Sequence, residues 1–353
     1  MSNYSISPRA YSPVPSEKYN KFVTRYLKSY QYHERIEAFY RREVERHRRG
    51  APLPYSWEEF VKSFKAKNFW KNYHDCGSYI LADYYFTSKK LKVQDANFCR
   101  RDKICPACAV RRAYKQQLKF LQIVSAKPEF LAKDWYYIVL TVKHTADESF
   151  ETVFNRVVNL KKKITKAMRN GRMRGDRNIW SKFGGGMFSI ETTFGSNGWH
   201  VHLNLLVNAD AGTHIEITEV TNSRGQISRQ NDEIRQFLEV NAGSRMHDVQ
   251  KLDFSNQESL MAALVEVLKY SLKFSSLSIQ QIVEFYVKTN RKRLFGTFGN
   301  LWGLGLDEVD LEGDEKLDGP FVELLIKRVM LGDMPDYRID RIAPHILKDC
   351  KSD

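Results

Sequence analysis

Two histidines stand two residues apart in WHVHLNLLV (199–207), and that spacing is the first sign of chemistry in the chain. Side chains alternate between faces along a strand, so Trp199, Val201, Leu203, Leu205 and Val207 point one way and His200, His202 and Asn204 the other. Two imidazoles a few ångströms apart on one side suit joint coordination of a divalent metal. The plainer alternative is a pair of half-buried strand histidines bonded to their neighbours. The preceding MFSIETT and the turn-forming FGSNG complete a β-hairpin signal. A loop at 195–198 pairs Phe194 with Trp199 and therefore Glu191 with His202, at the cross-strand spacing of about 4.5–5.5 Å. Glu191 is thus a candidate third ligand, which a one-residue bulge would turn to the opposite face.

Residues 256–275 carry the best helical pattern in the chain, opened by a capping box of Ser255 and Glu258. Leu260, Met261, Leu264, Leu268 and Leu272 gather on the packing side. Glu266, Tyr270 and Lys273 fall within a narrow arc opposite, with Lys269 and Phe274 close by. An acid, a phenol and an amine on one face form a phosphoryl-transfer set, because a tyrosine oxygen can attack a phosphate from which a metal withdraws charge. A free tyrosine ionises near a pKa of about 10, so neighbouring cations must favour the phenolate at neutral pH. The alternative is an ordinary amphipathic helix with a surface Glu–Lys pair.

Cys76, Cys99, Cys105 and Cys108 are four of the 5 cysteines. Four thiolates satisfy tetrahedral Zn²⁺, and a structural zinc site is the reading adopted. His74 is an alternative ligand to Cys76, buried free thiols are an alternative to the site, and a redox CxxC pair lacks a βαβ context. Zinc would cross-link a segment presenting Arg100, Arg101, Arg111 and Arg112 as a basic surface for duplex phosphates.

The chain has 353 residues, 42% apolar and 13% aromatic, enough for one substantial core and a second smaller one. Its 56 Lys and Arg against 42 Asp and Glu give +14, a field that attracts polyanions, with nucleic acid the leading partner. The first residues lack the apolar core of a secretory signal and no later stretch approaches 18 uncharged apolar residues, so a cytoplasmic enzyme without a membrane partner is expected. Residues 1–19 read as a flexible tail. Lys18 to Arg49 reads as one or two amphipathic helices closed by Gly50, within an N-terminal helical and zinc-binding region over 20–130. A third region, 131–305, begins with the strand WYYIVLTVKH and a helix from Ser149 to Asn170, then the glycine cluster Gly184 to Gly186 and the hairpin. A polar segment from Asn208 to about Glu239 reads as an insertion. Region 306–353 reads as an acidic linker followed by a helix from near Phe321. The basic stretches at 161–177 and 288–293 either grip a nucleic-acid backbone or are simply solvated. The fold class is α+β.

YIVLTVKH, GWHVHLNLLV and EVLKYSLKF occur in the order and rough spacing of the three motifs of plasmid rolling-circle replication initiators, within the HUH endonuclease superfamily. The chain resembles that family closely at the last two. The resemblance implies a domain with a central antiparallel sheet and flanking helices, Mg²⁺ or Mn²⁺ at His200 and His202, and Tyr270 as nucleophile. One branch has a glutamate four residues before its single tyrosine, where this chain has Glu266; other branches carry a second tyrosine where this chain has Phe274. The resemblance is therefore to the single-tyrosine branch, with Glu266 implied as the general base that activates water to hydrolyse the closing intermediate. Lys273 is then placed to approach the cleaved phosphate, and Lys269 to contact DNA. The implied reaction is nicking and rejoining of one strand at a replication origin through a 5′-phosphotyrosyl link, with a host helicase and polymerase as further partners and the oligomeric state open.

The first motif, around Thr141, offers no evident catalyst and is assigned a structural role. A cysteine-rich stretch like CRRDKICPACAVRR also occurs in the family, which extends the resemblance to roughly residues 76–275. Relaxases place the tyrosine near the N-terminus and usually carry three histidines, unlike this order. Two other functions are carried forward: a single-tyrosine HUH transposase acting on element ends, and a non-catalytic zinc-containing DNA-binding regulator.

Overall fold

The computed structural model describes residues 14–175, 178–221, 225, 227–252, 264, 273–306, 309–313, 317 and 319–345. The chain divides into two compact units, one of Met1–Leu53, Phe64–Ala109 and Asp310–Asp353 and the other of Pro54–Ser63 and Val110–Val309. Its strands in chain order are β1 (Tyr79–Tyr85), β2 (Lys90–Ala96), β3 (Asp134–Thr141), β4 (Phe183–Gly195), β5 (Gly198–Ala209), β6 (Thr218–Thr221), β7 (Ile227–Gln230), β8 (His247–Leu252), β9 (Phe295–Gly299), β10 (Phe321–Leu331) and β11 (Met334–His345). The class is mixed α+β with antiparallel sheets. Among the described residues no helix is long and apolar enough to cross a membrane.

The second unit is built on a five-stranded antiparallel sheet in the order β8-β3-β5-β4-β9. The alternation of WHVHLNLLV puts Trp199, Val201, Leu203, Leu205 and Val207 on one face of the central strand β5, all of them buried. The helix Phe150–Arg174 covers this face, with Phe150 ring-to-ring against Trp199 at 4.9 Å. Its buried residues Phe150, Val153, Phe154, Val157, Leu160, Ile164 and Met168 recur three and four apart, as a core-facing helix requires. Ser149 caps its start by accepting the Thr152 N–H.

The other face of β5 changes character along its length. Leu206, on the same side as His200, His202 and Asn204, enters a buried cluster with Trp135, Met187, Leu252, Leu264, Phe120 and Val124. The histidine face is therefore dry core at one end and accessible at the other. Leu264, assigned to the packing side from the sequence, is helical and fully buried there.

Gly186 explains part of the glycine cluster. A Cβ at this position would lie 2.2 Å from the Leu206 carbonyl oxygen and 2.9 Å from the Val207 Cα, and neither backbone atom can rotate away. Gly186→Ala is expected to cost about 1–3 kcal/mol through forced backbone shifts. A thermal melt checks this, and an unchanged midpoint would show that the sheet adjusts freely.

The first unit contains a four-stranded antiparallel sheet in the order β11-β10-β1-β2 and the long helix Ser16–Arg48. Here the structure corrects the expectation of a helix from near Phe321: the segment is the β10–β11 hairpin turning at Gly332–Asp333. In FVELLIKRVML the buried residues Val322, Leu324 and Ile326 alternate, and they pair with Tyr84, Ala82 and Ile80 of β1. β1 and β2 are likewise strands inside a region expected to be helical. The polar segment after Asn208 holds the small β6–β7 hairpin and a helix, Asp232–Ala242, capped by Asn231 and seated by buried Ile234 and Leu238.

Candidate functional site

The β4–β5 hairpin pairs Phe194 with Trp199 and Glu191 with His202, without a bulge in this stretch. His200 and His202 therefore project from one face, with ring centroids 4.0 Å apart. On the other side of β5, Thr141 is the direct partner of His202, and its Oγ1 lies 2.9 Å from His202 Nδ1. In the tautomer that donates Nδ1–H to this oxygen, His202 presents its Nε2 lone pair for coordination; in the other, the Thr141 hydroxyl donates to Nδ1. Burial, reinforced by the neighbouring imidazoles of His200 and His144, pushes His202 down to about 4. Burial and then His144 lower His200 as well. Both rings stay neutral at physiological pH, the form in which imidazole is a metal ligand.

An acceptor that fixes the outward nitrogen of a ligating histidine is worth about 10–100-fold in metal affinity. Thr141→Val keeps the side-chain shape and removes that oxygen, so for a divalent cation such as Mn²⁺ held on these two rings, binding is expected to weaken within this range. Calorimetric titration measures it; equal affinity in the variant would remove Thr141 from the site.

A cleft of about 760 Å³ opens over these rings, lined among others by Thr141, Lys143, His144, His200, His202 and Arg245. His144 was not singled out from the sequence, although it ends the YIVLTVKH motif. It follows the last residue of β3 by three positions, where strand alternation no longer reports direction. Its ring centroid is 4.8 Å from that of His200. The Glu191 carboxylate, opposite His202, accepts a hydrogen bond from Asn204 Nδ2 at 3.4 Å.

A second chemical cluster lies in the first unit. Cys76, Cys99, Cys105 and Cys108 are all buried, with their sulfurs within 4.8 Å of one another. Cys76 Sγ lies 3.7 Å from both Cys105 Sγ and Cys108 Sγ, and Cys99 Sγ lies 3.6 Å from Cys108 Sγ. A zinc tetrahedron with bonds of about 2.3 Å has edges of about 3.8 Å, so the spacing fits that ion. The group can bind a metal such as zinc. Burial pushes Cys99 up; hydrogen bonds with Cys105 and Cys76, and then burial, raise Cys108 against a lowering effect of Cys99; burial acts to raise Cys105, but hydrogen bonds from the other three thiols and His33 together hold it well below the usual thiol range. His33 Nε2 and Ser29 Oγ, both buried, stand 3.2 and 3.3 Å from the Cys105 sulfur. His74 is paired instead with Glu37, and its carbonyl accepts from Arg328 of β10.

The chain is similar to Protein rep of Staphylococcus aureus. The two are 23% identical over 229 residues, covering 64% of this chain and 91% of that protein. No family model matches the chain, and no solved structure matches it. In sequence the chain is thus Rep-like.

Glu266, Lys269 and Tyr270 lie outside the described residues. The described residues on either side are Leu264, in the core cluster on the histidine face, and Lys273, whose N–H reaches the Thr192 carbonyl at 3.4 Å. Thr192 is the residue after Glu191, and the Lys273 side chain is exposed. The four arginines expected on a basic surface have different surroundings. Arg100 is exposed and paired with Glu312 at 2.6 Å, while Arg101 stacks its guanidinium over Phe69 at 4.1 Å. Arg111 is only 7% exposed and Arg112 is half-buried. In the basic stretches, Lys288 is paired with Glu59 and Glu151, and Lys161 and Lys292 lie over the rings of Phe188 and Phe154.

Proposed function

We propose that the protein initiates rolling-circle replication of a plasmid by nicking, and later rejoining, one DNA strand at the origin in the manner of single-tyrosine HUH endonucleases. The single observation that supports this most is the pair of neutral imidazoles at the accessible end of the sheet face into whose dry end Leu264 packs, six residues before Tyr270. The sequence likeness to a protein named rep points the same way.

In this reading His200 and His202 hold a divalent cation, Mg²⁺ or Mn²⁺, whose chemistry is to withdraw charge from the scissile phosphate. The Tyr270 oxygen forms a bond to phosphorus as the bond from phosphorus to O3′ breaks. The phenol proton is lost, O3′ takes up a proton, and the products are a 5′-phosphotyrosyl link and a free 3′-hydroxyl. Lys143 and Arg245 line the cleft and, with Lys269 and Lys273, offer positive charge to the strand's phosphates. Glu266 takes the proton of the water that ends the cycle. A host polymerase extends the 3′-hydroxyl and a host helicase opens the duplex ahead of it. Zinc on the four cysteines is structural.

Incubation of the protein with Mn²⁺ and an origin oligonucleotide is expected to give an adduct that survives denaturation. Tight DNA binding without any adduct would instead favour the non-catalytic regulator.

A further inference from the structure

We propose that His144 is the third protein ligand of the cation at His200 and His202, the role that the hairpin register had suggested for Glu191. The inference rests on the reading that the cleft holds a divalent cation.

Three observations carry it. First, His144 lines the cleft together with His200 and His202, whereas Glu191 is not among its lining residues. Second, the His144 Nδ1 lies 3.1 Å from the Val142 carbonyl oxygen. A carbonyl only accepts, so Nδ1 carries the proton and Nε2 is left with its lone pair, the tautomer a ligand needs. Third, the loop that carries His144 is held in place. The Lys143 N–H reaches the Ala242 carbonyl at 3.3 Å, and the Thr145 N–H reaches the Glu148 carboxylate at 2.9 Å. Glu148 is in turn paired with Arg156 at 2.6 Å.

Gly198, with φ +77, lets this loop approach the first residue of β5: a Cβ there would lie 2.9 Å from the Ala146 carbonyl oxygen. The loop is thus packed onto the hairpin that bears the other two histidines. Glu191, by contrast, already accepts from Asn204, which is further along β5 and 1% exposed. Three imidazole ligands bring no negative charge and leave the cation's full charge for the phosphate, where a carboxylate would cancel part of it.

The test is Mn²⁺ titration of the full-length wild type, His144→Ala and Glu191→Gln by calorimetry, with pulsed electron paramagnetic resonance counting the nitrogens coupled to bound Mn²⁺. Three histidine nitrogens are expected in the wild type and two in His144→Ala. The alanine variant should bind at least about 100-fold more weakly, beyond the range of an outer-shell partner, and Glu191→Gln close to wild type. Two nitrogens in the wild type, with binding lost in Glu191→Gln, would overturn the inference and leave the cation site standing. A wild type that binds no Mn²⁺ would instead remove the cation reading itself. Should His144→Ala fail to fold, the wild-type nitrogen count and Glu191→Gln still decide.

Discussion

Tyr270→Phe is expected to abolish the covalent protein–DNA adduct while leaving DNA binding unchanged. The substitution deletes one oxygen, keeps the ring and changes no net charge. Removing a nucleophile leaves only the catalysis supplied by binding and electrostatics, and the rate of adduct formation should fall by more than about 10³-fold. Affinity arises mainly from phosphate contacts by lysines and arginines, so it should match the wild type at the same salt concentration. A denaturing gel with end-labelled origin DNA reads the first quantity and a filter-binding titration the second. An adduct of undiminished yield from the Phe variant would move the nucleophile to another residue.

With structural zinc on the four cysteines, as proposed, Cys105→Ser is expected to release the ion and unfold the first unit. Structural zinc contributes about 10–16 kcal/mol of apparent binding free energy, comparable to the whole stability of a domain at about 5–15 kcal/mol. The Cys105 sulfur also contacts His33 and Ser29 of the helix Ser16–Arg48, so its loss loosens that helix as well as the tetrahedron. Wild-type protein should contain one equivalent of zinc by elemental analysis, and a strong chelator should reproduce the variant's loss of near-ultraviolet dichroism. A zinc-free wild type that melts at the same temperature with and without chelator would make the four cysteines plain buried thiols.

The β4–β5 hairpin was readable because two short-range rules agreed: alternation set the faces of β5, and the turn residues set the register that pairs Glu191 with His202. The four cysteines were readable as a cluster because a CPAC pair with two more sulfurs nearby suits few other arrangements; Cys76 stands with the other three sulfurs, while His74 is paired with Glu37. The β10–β11 hairpin was not readable. Its LLIKRV stretch satisfies helical as well as strand periodicity, and the partner that decides, β1, lies more than 200 residues earlier in the chain. His144 was hidden for a related reason. Its approach to His200 depends on a loop whose path is set by Gly198, Ala242 and Glu148 rather than by any repeating pattern. Thr141 gave no catalytic signal because its contact with the His202 ring arises from the cross-strand pairing of β3 with β5, not from its own residue type.

The most direct measurement is tandem mass spectrometry of the proteolysed adduct, trapped with Mn²⁺ and origin DNA. The expected result is a nucleotide joined through its 5′-phosphate to Tyr270, found with wild-type protein and lost when His200 and His202 are both changed to alanine. A nucleotide on any other side chain, or the same yield from the histidine-free variant, would contradict the assignment of this cleft and this tyrosine to one reaction.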